Sequence, residues 1–296
     1  MSDFCENLRR RAAILREMRS FFDARGFVEV ETPVRIVAPA PEEHIDCPAV
    51  APFAGRATDS FLRASPELQM KKLLAAGMDR LYQIGPCFRE GETGSRHRPE
   101  FTMIEWYRRH ATYLDILDDT ERLFRALAAS VSFAVRPEAF RHLAVRDAYR
   151  RFAHWDPWTA WDADRFDYDM ATCIEPAIRE MGGGVFLMDY PVAAASLARV
   201  RTTPEGDFAE RWELYWDGIE LGNCFSELCD GAEQEARFRR AKANRLALGE
   251  SDYPLDGDFL ASVGLMGDAA GVALGVDRLV MTLLGEREIT AVRVVD

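Results

Sequence analysis

The chain has 296 residues, 48% of them hydrophobic and 29% charged, with a formal net charge of −12. That is ample material for a core, and no run of about 18 apolar residues offers a membrane span. The acidic balance argues against a broad electrostatic grip on nucleic acid, though not against a local basic groove. At the N-terminus, MSDFCENLRRRAAIL lacks the apolar centre of a targeting peptide and reads as a helix start. Asn7 to Arg25 then predicts an amphipathic helix, with Leu8, Ala12, Leu15, Met18 and Phe22 on one face. Gly26 is its stop, Phe27, Val28 and Val30 read as a strand, and Pro33 ends that strand.

Ala38 to Ala51, rich in proline, alanine and acid, reads as a loop or edge. Phe61 to Ala64 is a short strand. A helix follows, with Ser65 at the cap, Pro66 at its first position and Gly77 at its exit. Leu81 to Ile84 predicts a strand leading to FREGETGSRHRPEFTMIEWYR, Phe88 to Arg108. This stretch reads as strand, loop, strand. Phe101, Met103, Glu105 and Tyr107 share one face, and Thr102, Ile104 and Trp106 the other. Arg89, Arg96, His97 and Arg98 concentrate cations in an acidic chain. A solvated charged hairpin and a phosphate-binding one both fit that pattern.

Tyr113 to Ala129 predicts a helix with Leu114, Leu117, Phe124 and Leu127 in the core. Ala144 to Glu180 is mostly helical with tryptophan-rich breaks, and residues 155–181 suggest no task. Gly182-Gly183-Gly184 is a turn before a buried strand, Val185 to Tyr190. Trp212 to Glu220 alternates as a strand that continues to Leu228, with a kink near Gly222. Gln234 to Gly249 is a polar helix. Gly271 to Val276 is a strand, and Asp277 to Leu284 a helix closed by Gly285. The six cysteines, Cys5, Cys47, Cys87, Cys173, Cys224 and Cys229, lack paired zinc spacing. They read as reduced thiols of a cytoplasmic protein. One mixed domain over residues 1–296 accounts for the pattern.

The order helix-strand-proline at Asn7–Pro33, Arg89 with HRPEF, and GVALGVDR at Gly271–Arg278 resembles motifs 1, 2 and 3 of class II aminoacyl-tRNA synthetases. SPELQMK, RHRPEFTMIEWY, DYP at Asp189–Pro191 and GNCFSEL at Gly222–Leu228 are similar to lysyl-tRNA synthetases. The resemblance implies an α+β catalytic domain, an antiparallel sheet flanked by helices. The motif 1 helix starts within the first ten residues, so no anticodon-binding domain is expected before it. That places the resemblance with the truncated elongation factor P–lysine ligase family. Its activity would be ATP-dependent activation of lysine or (R)-β-lysine, then transfer to a lysine of elongation factor P. Ala273, where lysyl-tRNA synthetases typically carry glycine, is associated in that family with (R)-β-lysine. The sequence alone leaves the choice of isomer open.

The resemblance also implies roles. Arg89 would span the α-phosphate and the substrate carboxylate, and Arg278 would pack on the adenine opposite Phe101. The two arginines are the catalytic candidates. Glu90, Gly91, His97, Leu221 and Gly275 would line the ATP site. Glu220 and Glu227, seven apart, would hold Mg²⁺, with Glu227 also at the lysine site. Ser65, Pro66, Glu67, Glu105, Tyr107, Asn223 and Ala273 would form the amino-acid pocket; Ser65 could equally be only a helix cap. Motif 2 usually reads Arg-x-Glu. Here Gly91 follows Glu90 and Glu92 comes one place later, so either carboxylate could meet the adenine. A homodimer through the motif 1 region is implied; binding of tRNA is disfavoured. The competing readings are a tRNA-charging enzyme and a non-catalytic synthetase-like subunit.

Overall fold

The computed structural model describes residues 2–52, 59–130 and 140–295. The first helix, α1 (Ser2–Asp23), starts earlier than its pattern predicts. Its buried face is also rotated: Ile14, Met18, Phe21 and Phe22 are buried, while Ala12 is exposed. Gly26, at φ +72°, turns the chain out of the helix. Strand β1 (Val28–Glu29) follows, then β2 (Arg35–Ile36) and β3 (Phe61–Leu62), which pair with each other. Next come α2 (Glu67–Ala75), β4 (Arg80–Phe88), β5 (Glu100–Arg109) and α3 (Tyr113–Ser130). In α3 the spacing places Leu117, Phe124 and Leu127 inside as expected, but Leu114 is 46% exposed.

The second half begins with β6 (Arg141–Ala144) and three short helices, α4 (Val145–Ala148), α5 (Ala163–Asp169) and α6 (Glu175–Met181). Then come β7 (Gly184–Tyr190), β8 (Val200–Arg201), β9 (Phe208–Trp216), β10 (Ile219–Ser226) and α7 (Gly231–Leu248). The chain closes with α8 (Gly257–Ser262), β11 (Ala269–Gly275) and α9 (Val276–Leu284). The single strand expected from Trp212 to Leu228 is instead the β9–β10 hairpin. Asp217 and Gly218 both adopt positive φ, 49° and 73°. An Asp-Gly pair of this kind makes the two-residue turn whose twist suits paired strands. The kink expected near Gly222 is there, as a register shift between Glu220 and Gly222.

Among the described residues the main sheet runs β1-β4-β5-β11-β10-β9-β7-β6, with β8 paired to β9. It is antiparallel except for the outer pairs β1–β4 and β6–β7. One face carries Ile104, Trp106, Val272, Leu274 and Trp212, which pack against α1, α3 and α9 as the largest core. The opposite face of β5, β10 and β11 is left to line a cavity. Tyr107 lies flat over β11 there because Gly271, its register partner, has no side chain. A Cβ at Gly271 would run into the Tyr107 ring. Gly271→Ala should therefore displace that ring and cost about 1–3 kcal/mol of stability, read as a lowered urea midpoint at unchanged m-value.

Candidate active site

A cavity of about 380 Å³ opens on this polar face. It is built by the turn into α2, the β4–β5 hairpin, strands β10 and β11 and the first turn of α9, with the 42–45 loop and the 196–197 turn at its border. It brings together Ser65, Glu67, Arg89, His97, Phe101, Glu105, Glu220, Leu221, Asn223, Ala273, Gly275 and Arg278. Residues more than 200 positions apart thus share one space, with β5, β11 and β10 as neighbours in the sheet. Ala273 stands directly between Glu105 and Asn223 across the sheet, where its small side chain keeps the floor low.

The two ends of the cavity carry opposite charge. At one end, Arg278 donates to the Glu220 main-chain carbonyl at 2.9 Å and to Nε2 of His97. Burial and the Arg278 charge push the His97 pKa down, so its imidazole accepts that bond as the neutral form. The Arg89 guanidinium lies 5.2 Å from the Phe101 ring centroid and 3.4 Å from a Glu92 oxygen, and its Nε is buried without a partner. Arg96 and Arg98 also border this end. Such a cluster suits polyphosphate.

Acid dominates the other end. Lys71 Nζ lies 2.5 Å from Oε1 of Glu67 and 2.5 Å from Oε2 of Glu227. Burial works against the lysine's charge, but Glu227 and Glu67 outweigh it and hold its pKa above the ordinary value. Glu105 is fully buried, takes a 2.7 Å bond from the Tyr107 hydroxyl, and leaves Oε1 unpartnered. Burial, then the Glu67 charge, raise its pKa to about 8. Burial likewise raises Glu227 to about 7, against the opposing pull of Lys71. Three buried carboxylates thus share one lysine, with Arg63 also within electrostatic reach of Glu105. One ammonium does not balance three carboxylates, and an ammonium group on a ligand would add to it.

Some expected residues do not line the cavity. Glu90 gives its main-chain N–H to the Asp46 carbonyl, and the acid that faces the cavity is Glu92. Gly91, at φ +76°, serves the turn of the hairpin. Pro66 sits at the start of α2, while the Ser65 hydroxyl accepts from Glu67 N–H at 3.3 Å. Tyr107 and Glu227 lie behind the wall, in contact with Glu105 and Lys71. Sequence reasoning missed Lys71, although Glu67 and Lys71 have the i, i+4 spacing of a helical ion pair. It also missed Glu42, Ile45, Ser196, Leu197 and Asp277, which border the cavity from loops or from beside Arg278.

The sequence family described as tRNA synthetases class II (D, K and N) matches residues 2–294. The chain belongs to the class II tRNA synthetase family. Among its curated relatives is an elongation factor P–(R)-β-lysine ligase of Proteus mirabilis (strain HI4320), 35% identical over 97% of this chain and 93% of the relative. A second bearing that name, from Yersinia enterocolitica, is 36% identical over the same shares. Class II synthetase-like ligases use ATP, and the cationic end is the part of the cavity suited to it. Magnesium needs hard oxygens, typically one or two carboxylates plus phosphate oxygens. Glu220 fits, with its side chain 43% exposed and a carboxylate oxygen 3.7 Å from Arg278. Glu227, 1% exposed and bound to Lys71, offers no free face. Among the described residues no three acids, histidines or cysteines gather to hold a metal by themselves. In this class II site a magnesium ion would rest mainly on the nucleotide. No helix among them is long and apolar enough to cross a membrane.

Proposed function

We propose that the chain is an ATP-dependent ligase that activates (R)-β-lysine or lysine as its acyl-adenylate and transfers it to a lysine of elongation factor P. The observation that carries this reading is the bipolar cavity, cationic around Arg89 and Arg278 and acidic around Glu67, Glu105 and Glu227. A substrate with a carboxylate at one end and ammonium groups at the other matches it. The names of the relatives supply the acceptor.

In the first step a carboxylate oxygen of the amino acid attacks the α-phosphorus of ATP. The new O–P bond forms as the bond to pyrophosphate breaks, and pyrophosphate leaves with the electron pair. Two anions must meet, so the work of the protein is neutralisation and alignment. Arg89 has the planar fork to hold both reacting groups, and its side chain is 25% exposed at the cavity. Arg278 and Phe101 would hold the adenine, with His97 fixing the arginine. Glu105 and Glu67 would hold the ammonium end, kept apart from bulk water by Tyr107 and Lys71. Magnesium, when bound through Glu220 and the phosphates, supplies charge neutralisation. In the second step the acceptor amine attacks the carbonyl carbon. A C–N bond forms, the C–O bond to AMP breaks, and the amine proton passes to solvent.

The chain would work as a cytoplasmic homodimer. β1 ends the sheet, and Val28 within it and Val37 just after β2 are 51% and 63% exposed, apolar surface that a second copy could cover. The test of the function is ATP–pyrophosphate exchange with each lysine isomer, followed by mass spectrometry of elongation factor P. Exchange with either isomer and a mass shift on one lysine of the factor are expected. Exchange with charging of tRNA and no modified factor would refute the acceptor.

A further inference from the structure

A second cleft, of about 660 Å³, lies beside the reaction cavity. Its walls are the 41–45 loop, the 192–197 turn and the exposed side of α7. The two spaces meet at a neck formed by Glu42, Ile45, Ser196 and Leu197, which border both. Glu42 lies within electrostatic reach of Glu67 on the acidic side and of Arg89 on the cationic side. The neck therefore opens between the two ends of the cavity, where the carbonyl of a bound adenylate would be. We infer that this cleft is the entry port for the acceptor, and that its occupant is a lysine-bearing loop of a protein. The inference rests on the function proposed above.

The chemistry of the neck selects that occupant. Ile45 and Leu197 give it aliphatic walls, Glu42 a carboxylate and Ser196 a hydroxyl. An ammonium group on a four-carbon stem suits such a passage, because the stem packs and the head meets the acid. A phosphodiester chain would meet Glu42 with like charge. Two of the three arginines that line the cleft are already engaged, and the third, Arg240, is exposed. Arg211 binds Glu213 and the Ala194 carbonyl, and Arg237 binds Glu233 and the Ser196 and Ala198 carbonyls. Both sides of the neck are anchored. Arg245, buried in α7, donates to the carbonyls of Glu42 at 2.6 Å and Ile45 at 3.0 Å. A port held open in this way can admit a loop while the nucleotide stays in place.

The test blocks the cleft away from the neck. Ala193→Trp adds bulk at an exposed position of the 192–197 turn. Lysine-dependent ATP–pyrophosphate exchange, and trapping of the adenylate by hydroxylamine, should stay within two-fold of wild type. Modification of elongation factor P should fall at least ten-fold. A second block is applied after folding: Val192→Cys, 43% exposed at Val192, labelled with a bulky maleimide. Wild type labelled alike controls for the exposed Cys5. Undiminished modification of the factor in either blocked protein overturns the port. Transfer to tRNA that the block abolishes overturns the occupant. Absence of exchange in the wild type would instead count against the proposed function.

Discussion

Glu105→Gln should leave the protein folded, with a urea midpoint equal to or above that of wild type, while kcat/KM for the diamino acid falls about 10²- to 10³-fold. The two effects separate because the group is poorly suited to the free protein. Its carboxyl is fully buried with one oxygen unpartnered, and burial together with Glu67 raises its pKa to about 8. A neutral amide of the same shape removes that burden. The ligand's ammonium group then loses its charged partner, a change typically worth about 2–5 kcal/mol at a buried pair. The pH dependence has a definite sign. The free protein holds a proton on Glu105 up to about pH 8. A bound ammonium favours its ionised form, so binding releases protons and affinity should rise from pH 6 to 8. Stability of the free protein goes the other way. A carboxyl raised above its unfolded value stabilises at low pH and loses that contribution as pH climbs towards about 8. Calorimetry in two buffers of different ionisation enthalpy counts the released protons. Zero release, or affinity that falls over this range, would refute the assignment of Glu105.

How much of this the sequence revealed depends on how local each signal was. The two faces of β5 are written in plain alternation, and Ile104 and Trp106 do go to the core while Phe101, Met103 and Glu105 border the cavity. Gly271 to Val276 was legible for the same reason. The β9–β10 hairpin was missed because apolar residues alternate straight through it; the turn is marked only by Asp217-Gly218. In α1 the helical period was right but the face was rotated, since arginines interrupt it. The least legible residue is Glu42. Its loop has no strong pattern, and its position depends on Arg245, about two hundred residues later, gripping its main chain. No local rule could pair those two. Lys71 differs: the Glu67–Lys71 spacing was visible, but it reads as an ordinary surface pair until burial shows otherwise.

Arg89→Lys keeps the charge and removes the fork, and it should lower kcat for adenylate formation about 10²- to 10³-fold. The affinity for the amino acid should change little, because under the proposed function its ammonium end would be held at the far side of the cavity by Glu67 and Glu105. Among the described residues Arg89 has one carboxylate contact, Glu92 at 3.4 Å, and lies over Phe101 with its Nε unpartnered. It is therefore placed for a ligand more than for the fold, and the urea midpoint should move by less than about 1 kcal/mol in stability. A lysine there would present one point charge to two anions that must be aligned at once. The effect should appear in kcat and in kcat/KM alike, the mark of an interaction made in the transition state. If kcat were kept and only KM for ATP rose, Arg89 would be a binding group, and alignment of carboxylate with α-phosphate would fall to Arg278.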